Sequence, residues 1–128
     1  MLTAQCNCNS CCEMAGCVSV GSFYAEEEIT FTGETDTYTF EGGSGMDITA
    51  PFCKNCHIRV AARLEIMEGI VALSIRLIDD SKQFEPKLEI WTSEKLGWLK
   101  DSDCVQERVP DSGVSERLMA LLESLENR

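Results

Sequence analysis

Cys6-Asn7-Cys8-Asn9-Ser10-Cys11 places three thiols within six residues, and Phe52-Cys53-Lys54-Asn55-Cys56-His57 places two more around a two-residue turn. Thiolates in C-x-C-x-x-C can converge on one soft metal ion, and a C-x-x-C pair is half of a tetrahedral site. The first cluster offers three ligands and leaves one zinc position open, which is where a metal does chemistry. Cys6, Cys8 and Cys11 are therefore the candidate catalytic and metal-binding residues. The same spacing also suits a closed structural site with a fourth ligand from elsewhere, or a thiol cluster without metal. Cys11 is expected near the start of a short helix, where the dipole favours a thiolate. Cys12 follows Cys11 too closely to share its ion, Cys17 reads as a small apolar side chain, and Cys104 has no nameable partner. Cys53 and Cys56 are metal ligands of a knuckle that pins strands together, and His57 beside them reads as a surface residue rather than a third ligand.

The composition around these clusters narrows the classes of function. Twenty-two acids against 11 bases give a formal charge of −11. A chain so acidic lacks the cations that neutralise phosphates, so nucleic acid is not an expected partner. No apolar run approaches the ~20 residues of a membrane helix, so no membrane partner is expected either. The opening Met1-Leu2-Thr3-Ala4-Gln5 has no basic stretch followed by an apolar one, and the expected location is the cytoplasm. There the eight cysteines are reduced thiols and metal ligands rather than a disulfide framework.

At 128 residues the chain reads as one domain, mainly β. Alternation or apolar runs predict strands over 18–23, 28–32, 37–40, 46–52, 58–64, 70–77 and 87–92. Ile70 to Leu77 is the most apolar of these and reads as the central strand. A short helix runs from near Ser10 to Gly16, a glycine suited to end it. A second, amphipathic helix occupies 111–128, with Val114, Leu118, Leu121, Leu122 and Leu125 on one face. It packs on its own sheet or forms a homodimer contact.

These features together resemble the glutathione-dependent formaldehyde-activating enzyme family, which includes centromere protein V. The family pattern C-H-C-x-x-C-[RK]-x-x-x-G is matched by Cys6 to Cys12 and then Gly16, and F-C-x-x-C-G by Phe52 to His57. Thr32-Gly33-Glu34 and Tyr38 resemble the segment between them, and Leu77-Ile78-Asp79-Asp80 resembles an L-D-D turn. Phe84-Glu85-Pro86, Ile90-Trp91, Lys95 and Trp98 resemble the C-terminal block, so that the likeness runs from about Ala4 to Val109. The resemblance implies a β-tent over residues 1–110, with two antiparallel sheets splayed from zinc knuckles. It implies Zn²⁺ on Cys6, Cys8 and Cys11, a second zinc at Cys53 and Cys56, and glutathione or another small thiol as substrate. The implied activity is that of a carbon–sulfur lyase acting on S-hydroxymethylglutathione or a related adduct.

Four departures from the pattern shape the expectation. Asn7 stands where the family has histidine, Cys12 where it has a base, and His57 where it has glycine. The G-x-C-x-C-G strand pair that completes the knuckle site in the family is not in this sequence, so Cys53 and Cys56 are expected to hold metal weakly. Loss of an imidazole and a cation beside the metal implies weak glutathione chemistry. The alternative function is a non-catalytic, zinc-stabilised interaction module.

Overall fold

The computed structural model describes residues 2–111 and 123. Of the helix expected over 111–128 only Asp111 and Glu123 are described; its apolar face and any dimer contact it makes fall outside the described residues. Eight strands form the body: β1 Leu2–Cys6, β2 Ser19–Ala25, β3 Thr35–Glu41, β4 Asp47–Cys53, β5 Ala61–Leu64, β6 Ile70–Ser74, β7 Leu88–Ile90 and β8 Glu107–Arg108. The α-helix α1 spans Asn9–Ala15. It ends where the spacing predicts, at Gly16, whose φ of 101° is left-handed and whose N–H bonds the Cys12 carbonyl.

The hydrogen-bond ladders join all eight strands in one sheet, ordered β3-β4-β5-β6-β2-β1-β7-β8. This corrects the expectation of two antiparallel sheets. The closest approach to a division is between β4 and β5, where the ladder consists of Ile48↔Leu64 and Thr49↔Arg63 and a separate bridge, Phe52↔Arg59. The sheet is also mixed: β7 runs parallel to β1 and to β8. Parallel neighbours need a long crossover; here the chain from 75 to 87, carrying two short 3₁₀ turns, supplies it.

β6 is central, between β5 and β2. Its consecutive residues Ile70 and Val71 point to opposite faces and both are buried, as an apolar run implies. Beyond Ser74 the expected strand turns into a 3₁₀ helix over Ile75–Leu77. The alternating stretch 28–32 is not a strand. It has no neighbour to pair with, since β2 ends opposite Ile70; Phe31 instead lies 5.0 Å under the Arg63 guanidinium. β1 went unread because Leu-Thr-Ala-Gln-Cys has no alternation. Its three middle residues are all buried, since the strand has neighbours on both edges and is covered on both faces.

One of those faces carries a buried polar network. Glu89, 1 % exposed, accepts from Asn7 Nδ2 at 2.9 Å and Gln5 Nε2 at 3.3 Å. It pairs with Lys95 at 2.7 Å and with Arg108 at 3.0 Å. Burial pushes the Glu89 carboxyl up, but hydrogen bonds from Lys95 and Asn7 outweigh it and hold the group below its ordinary range. This network fixes β7 beside β1 and brings β8 alongside. A carboxylate with a depressed folded-state pKa stabilises above the unfolded value and loses that contribution as pH falls through the folded one. Glu89→Gln should therefore destabilise the protein by roughly 3 kcal/mol at neutral pH. That is the lower end for a broken buried pair, because Asp101 still holds Lys95. The deficit should shrink steadily below about pH 4.3, the ordinary glutamate value, in denaturant titrations of the two proteins; a deficit independent of pH would count against the ionised network.

Candidate metal centre

The local fold of the first cluster follows from one backbone switch. Cys6 ends β1 and Cys8 keeps an extended conformation, φ −62° and ψ 144°, so side chains 6 and 8 lie on the same side and Asn7 points to the other. At Cys8 the chain turns into α1. Cys8 is the N-cap, its sulfur accepting the Cys11 N–H at 3.4 Å. One helical turn then returns Cys11 to the same side. The ligand atoms of Cys6, Cys8 and Cys11 all lie within 4.8 Å of one another. A tetrahedral zinc with bonds of about 2.3 Å needs sulfurs about 3.8 Å apart, and this donor set is compatible with that spacing.

The three thiols share protons unequally. Cys8 is held down, at about 2, by S–H donation from Cys11 and Cys6, and backbone N–H groups of Cys11 and Gly43 add to this against the cost of burial. Cys6 is pushed far up by its hydrogen bonds to Cys11 and Cys8 and by burial. For Cys11 the bond to Cys6 lowers the value, but the bond to Cys8 and burial outweigh it and raise the thiol to about 12. Of the three thiols, Cys8, the capping residue, receives the most donors.

The loop between β3 and β4 closes over this thiolate. A Cβ on Gly43 would lie 2.9 Å from Trp91 Cε2 and 3.0 Å from Cys8 Cβ, so only glycine lets the loop backbone approach the sulfur. The sequence showed Gly42-Gly43-Ser44-Gly45 as a turn; its donor role depends on Trp91, 48 positions further along the chain, and could not be read locally. Gly43→Ala should therefore weaken zinc binding at least tenfold and cost about 1–3 kcal/mol of stability, by competition with a zinc-sensitive dye and by thermal unfolding. Unchanged affinity would remove Gly43 from the site.

Of the two positions thought to flank the metal, Asn7 does not, and Cys12 stands beside the cluster with its sulfur turned to the backbone. Asn7 is buried on the opposite face, bonded to Glu89 and to the Ile90 carbonyl. Cys12 turns its Sγ to the Cys6 carbonyl at 3.5 Å. Burial, followed by the Cys8 charge, pushes its thiol up. The cation near the thiols is Arg59, which the sequence gave no reason to single out. Arg59, Cys6, Cys8 and Cys11 line one cavity of about 130 Å³.

Cys53 and Cys56 stand apart from this cluster, which the three-thiol group at Cys6, Cys8 and Cys11 does not include. Cys53 ends β4, half-buried, and Cys56 is exposed. The turn has a knuckle's geometry. Its N–H groups at Cys56 and Asn55 bond the Cys53 sulfur and lower its pKa, and His57 N–H bonds the Cys53 carbonyl at 2.8 Å. His57 has a φ of 65°, which explains the family glycine: the position is left-handed, and histidine occupies it at a cost of order 1–2 kcal/mol. Two thiols of this exposure make a poorly shielded site, so protein of this sequence should retain about one zinc per chain after dialysis against a moderate chelator. Metal analysis showing a second zinc held as tightly would contradict that.

A mixed β-sheet with three converging thiols beside a cavity defines a protein with a thiol cluster able to hold a metal ion. The family model described as glutathione-dependent formaldehyde-activating enzyme matches residues 1–94, and the chain belongs to that family. No curated protein matches it. Among the described residues no helix is long and apolar enough to cross a membrane.

Proposed function

We propose that the protein binds zinc through Cys6, Cys8 and Cys11 and uses the site to form or cleave a carbon–sulfur bond in a hydroxymethyl thiol adduct such as S-hydroxymethylglutathione. The observation that carries this reading is that all three thiols line the cavity, so that a fourth coordination position faces space a substrate can enter. A structural site would be closed by a fourth protein ligand; among the described residues no other His, Cys, Asp or Glu joins the group.

Zinc bound there would supply Lewis acidity or hold a substrate thiolate. The chain supplies the rest. Cys11 and Gly43 N–H groups point at the Cys8 sulfur and favour its thiolate. Apolar walls from Ile48, Leu64, Leu88 and Ile90 exclude water that would compete for the aldehyde. In the condensing direction the substrate sulfur, having lost its proton to solvent, bonds to the formaldehyde carbon. The carbonyl opens and its oxygen takes a proton from water; nothing is oxidised or reduced. The expectation of weak glutathione activity rested on Asn7 and Cys12 standing beside the metal and on the negative excess of the chain. Asn7 lies on the other face and Arg59 brings a cation to the cavity, while the charge of −11 still disfavours an anionic thiol.

The test is the exchange rate of the hydroxymethyl group between formaldehyde and thiol, followed by NMR with zinc-loaded protein. Glutathione and mercaptoacetate are the two thiols to compare. We expect acceleration with at least one of them, lost in Cys8→Ser at equal total zinc. Rates equal to the protein-free control for both would favour the metal-stabilised interaction module.

A further inference from the structure

The strand register shows which face of the sheet the cavity occupies. Ala4 and Cys6 of β1 pair with Gly21 and Ser19 of β2. Gly21 pairs with Ser74 of β6 and Phe23 with Ala72, while Ala72 pairs with Ala62 of β5. On the other side Ala4 and Cys6 pair with Leu88 and Ile90 of β7. All these residues line the cavity, so one face of the sheet curves around it. Its walls are apolar except at the cysteine end. There Ser19 stands directly across from Cys6, a separation of about 5 Å between Cβ atoms. Arg59 reaches the same end: its Nη2 lies 3.5 Å from Ser19 Oγ and 3.4 Å from Ser74 Oγ.

These two contacts are long for hydrogen bonds. No carboxylate among the described residues lies within ion-pair distance of Arg59, in contrast to Arg63 and Arg108, which pair with Glu26 and Glu89. The Arg59 charge already acts on the Cys11 thiol, and its two long contacts to serines leave guanidinium donors free for an anion that enters the cavity. Asp47, the acid on the cavity lining, lies on β4 in register with Glu41 and is exposed.

From this juxtaposition we infer that the substrate thiol carries a carboxylate close to its sulfur and a hydrocarbon body behind it: the sulfur at the Cys6–Cys8–Cys11 centre, the carboxylate on Arg59, the hydrocarbon along the apolar wall. The inference rests on the proposed thiol chemistry and narrows its substrate class. Glutathione fits this description poorly. It brings two carboxylates, an ammonium and two peptide groups to a cavity with one arginine and a few hydroxyls, and most of those groups would be desolvated without partners. Arg59 is in this account a specificity-determining residue: it orients the substrate and takes no part in making the bond.

The experiment uses cobalt-substituted protein, whose thiolate-to-cobalt absorption reports a thiol reaching the metal without any turnover. Four probes are compared: α-mercaptohexanoate, its primary amide, mercaptoacetate and glutathione. The acid should bind about ten- to hundredfold more tightly than the amide, the worth of a charge-assisted contact. It should bind at least tenfold more tightly than mercaptoacetate, which lacks the hydrocarbon, and more tightly than glutathione. Arg59→Gln should erase the advantage of acid over amide by weakening the acid alone, with Arg59→Lys restoring part of it; unchanged amide binding shows that the variant is folded. Equal binding of acid and amide to the native protein would overturn the inference and leave the thiol chemistry standing. So would an equal loss for both in Arg59→Gln, which would make the arginine a counter-ion of the thiolates, or a preference for glutathione. No spectral response to any thiol would overturn the inference and the proposed function together.

Discussion

The hydrogen bonds that converge on the Cys8 sulfur organise this end of the molecule. A thiolate that has left water must be compensated by donors or revert to thiol. Here the donors come from three different parts of the chain: the first turn of α1, the two neighbouring thiols, and the loop between β3 and β4. Meeting that demand sets the strand-to-helix switch at Cys8, the close approach of Gly43 and the placement of Trp91 against it. A metal that replaced the S–H donors would inherit a site already shaped around negative charge.

The same strand serves two chemistries because its side chains alternate. Cys6 and Cys8 face the cavity, while Gln5 and Asn7 face the buried Glu89 network. The network fastens β7 to β1, and β7 in turn supplies Leu88 and Ile90 to the cavity wall. Stability on one face thus holds the geometry of the other. Asparagine at position 7 is suited to this role, since its amide donates to both the Glu89 carboxylate and the Ile90 carbonyl.

Much of the site was legible in the sequence because its parts are local. C-x-C-x-x-C needs an extended residue and one helical turn to bring its thiols together, and Cys53 to His57 needs one tight turn. Gly16 ended the helix where its left-handed preference required. Strands β2 to β7 were also visible as alternation or apolar runs. The reading failed where the pattern depended on neighbours. Residues 28–32 alternate like a strand but have no ladder to join, and β1 lacks alternation because it is covered on both sides.

The sequence by itself determined the thiol cluster, since three thiols within six residues converge under short-range backbone rules alone. It determined the mainly β character and the family for the same reason: both rest on local spacing. Only the tertiary structure decided that one mixed sheet replaces two antiparallel ones, because β7 can pair with β1 only after a crossover returns it. Only the tertiary structure, too, decided that the loop at Gly43 closes against Cys8, that Asn7 faces away from the thiol cluster, and that Arg59 lines the cavity beside it. Each of these depends on which residues, far apart in the chain, share one face of the sheet, and the register of distant strands is not written in any local stretch.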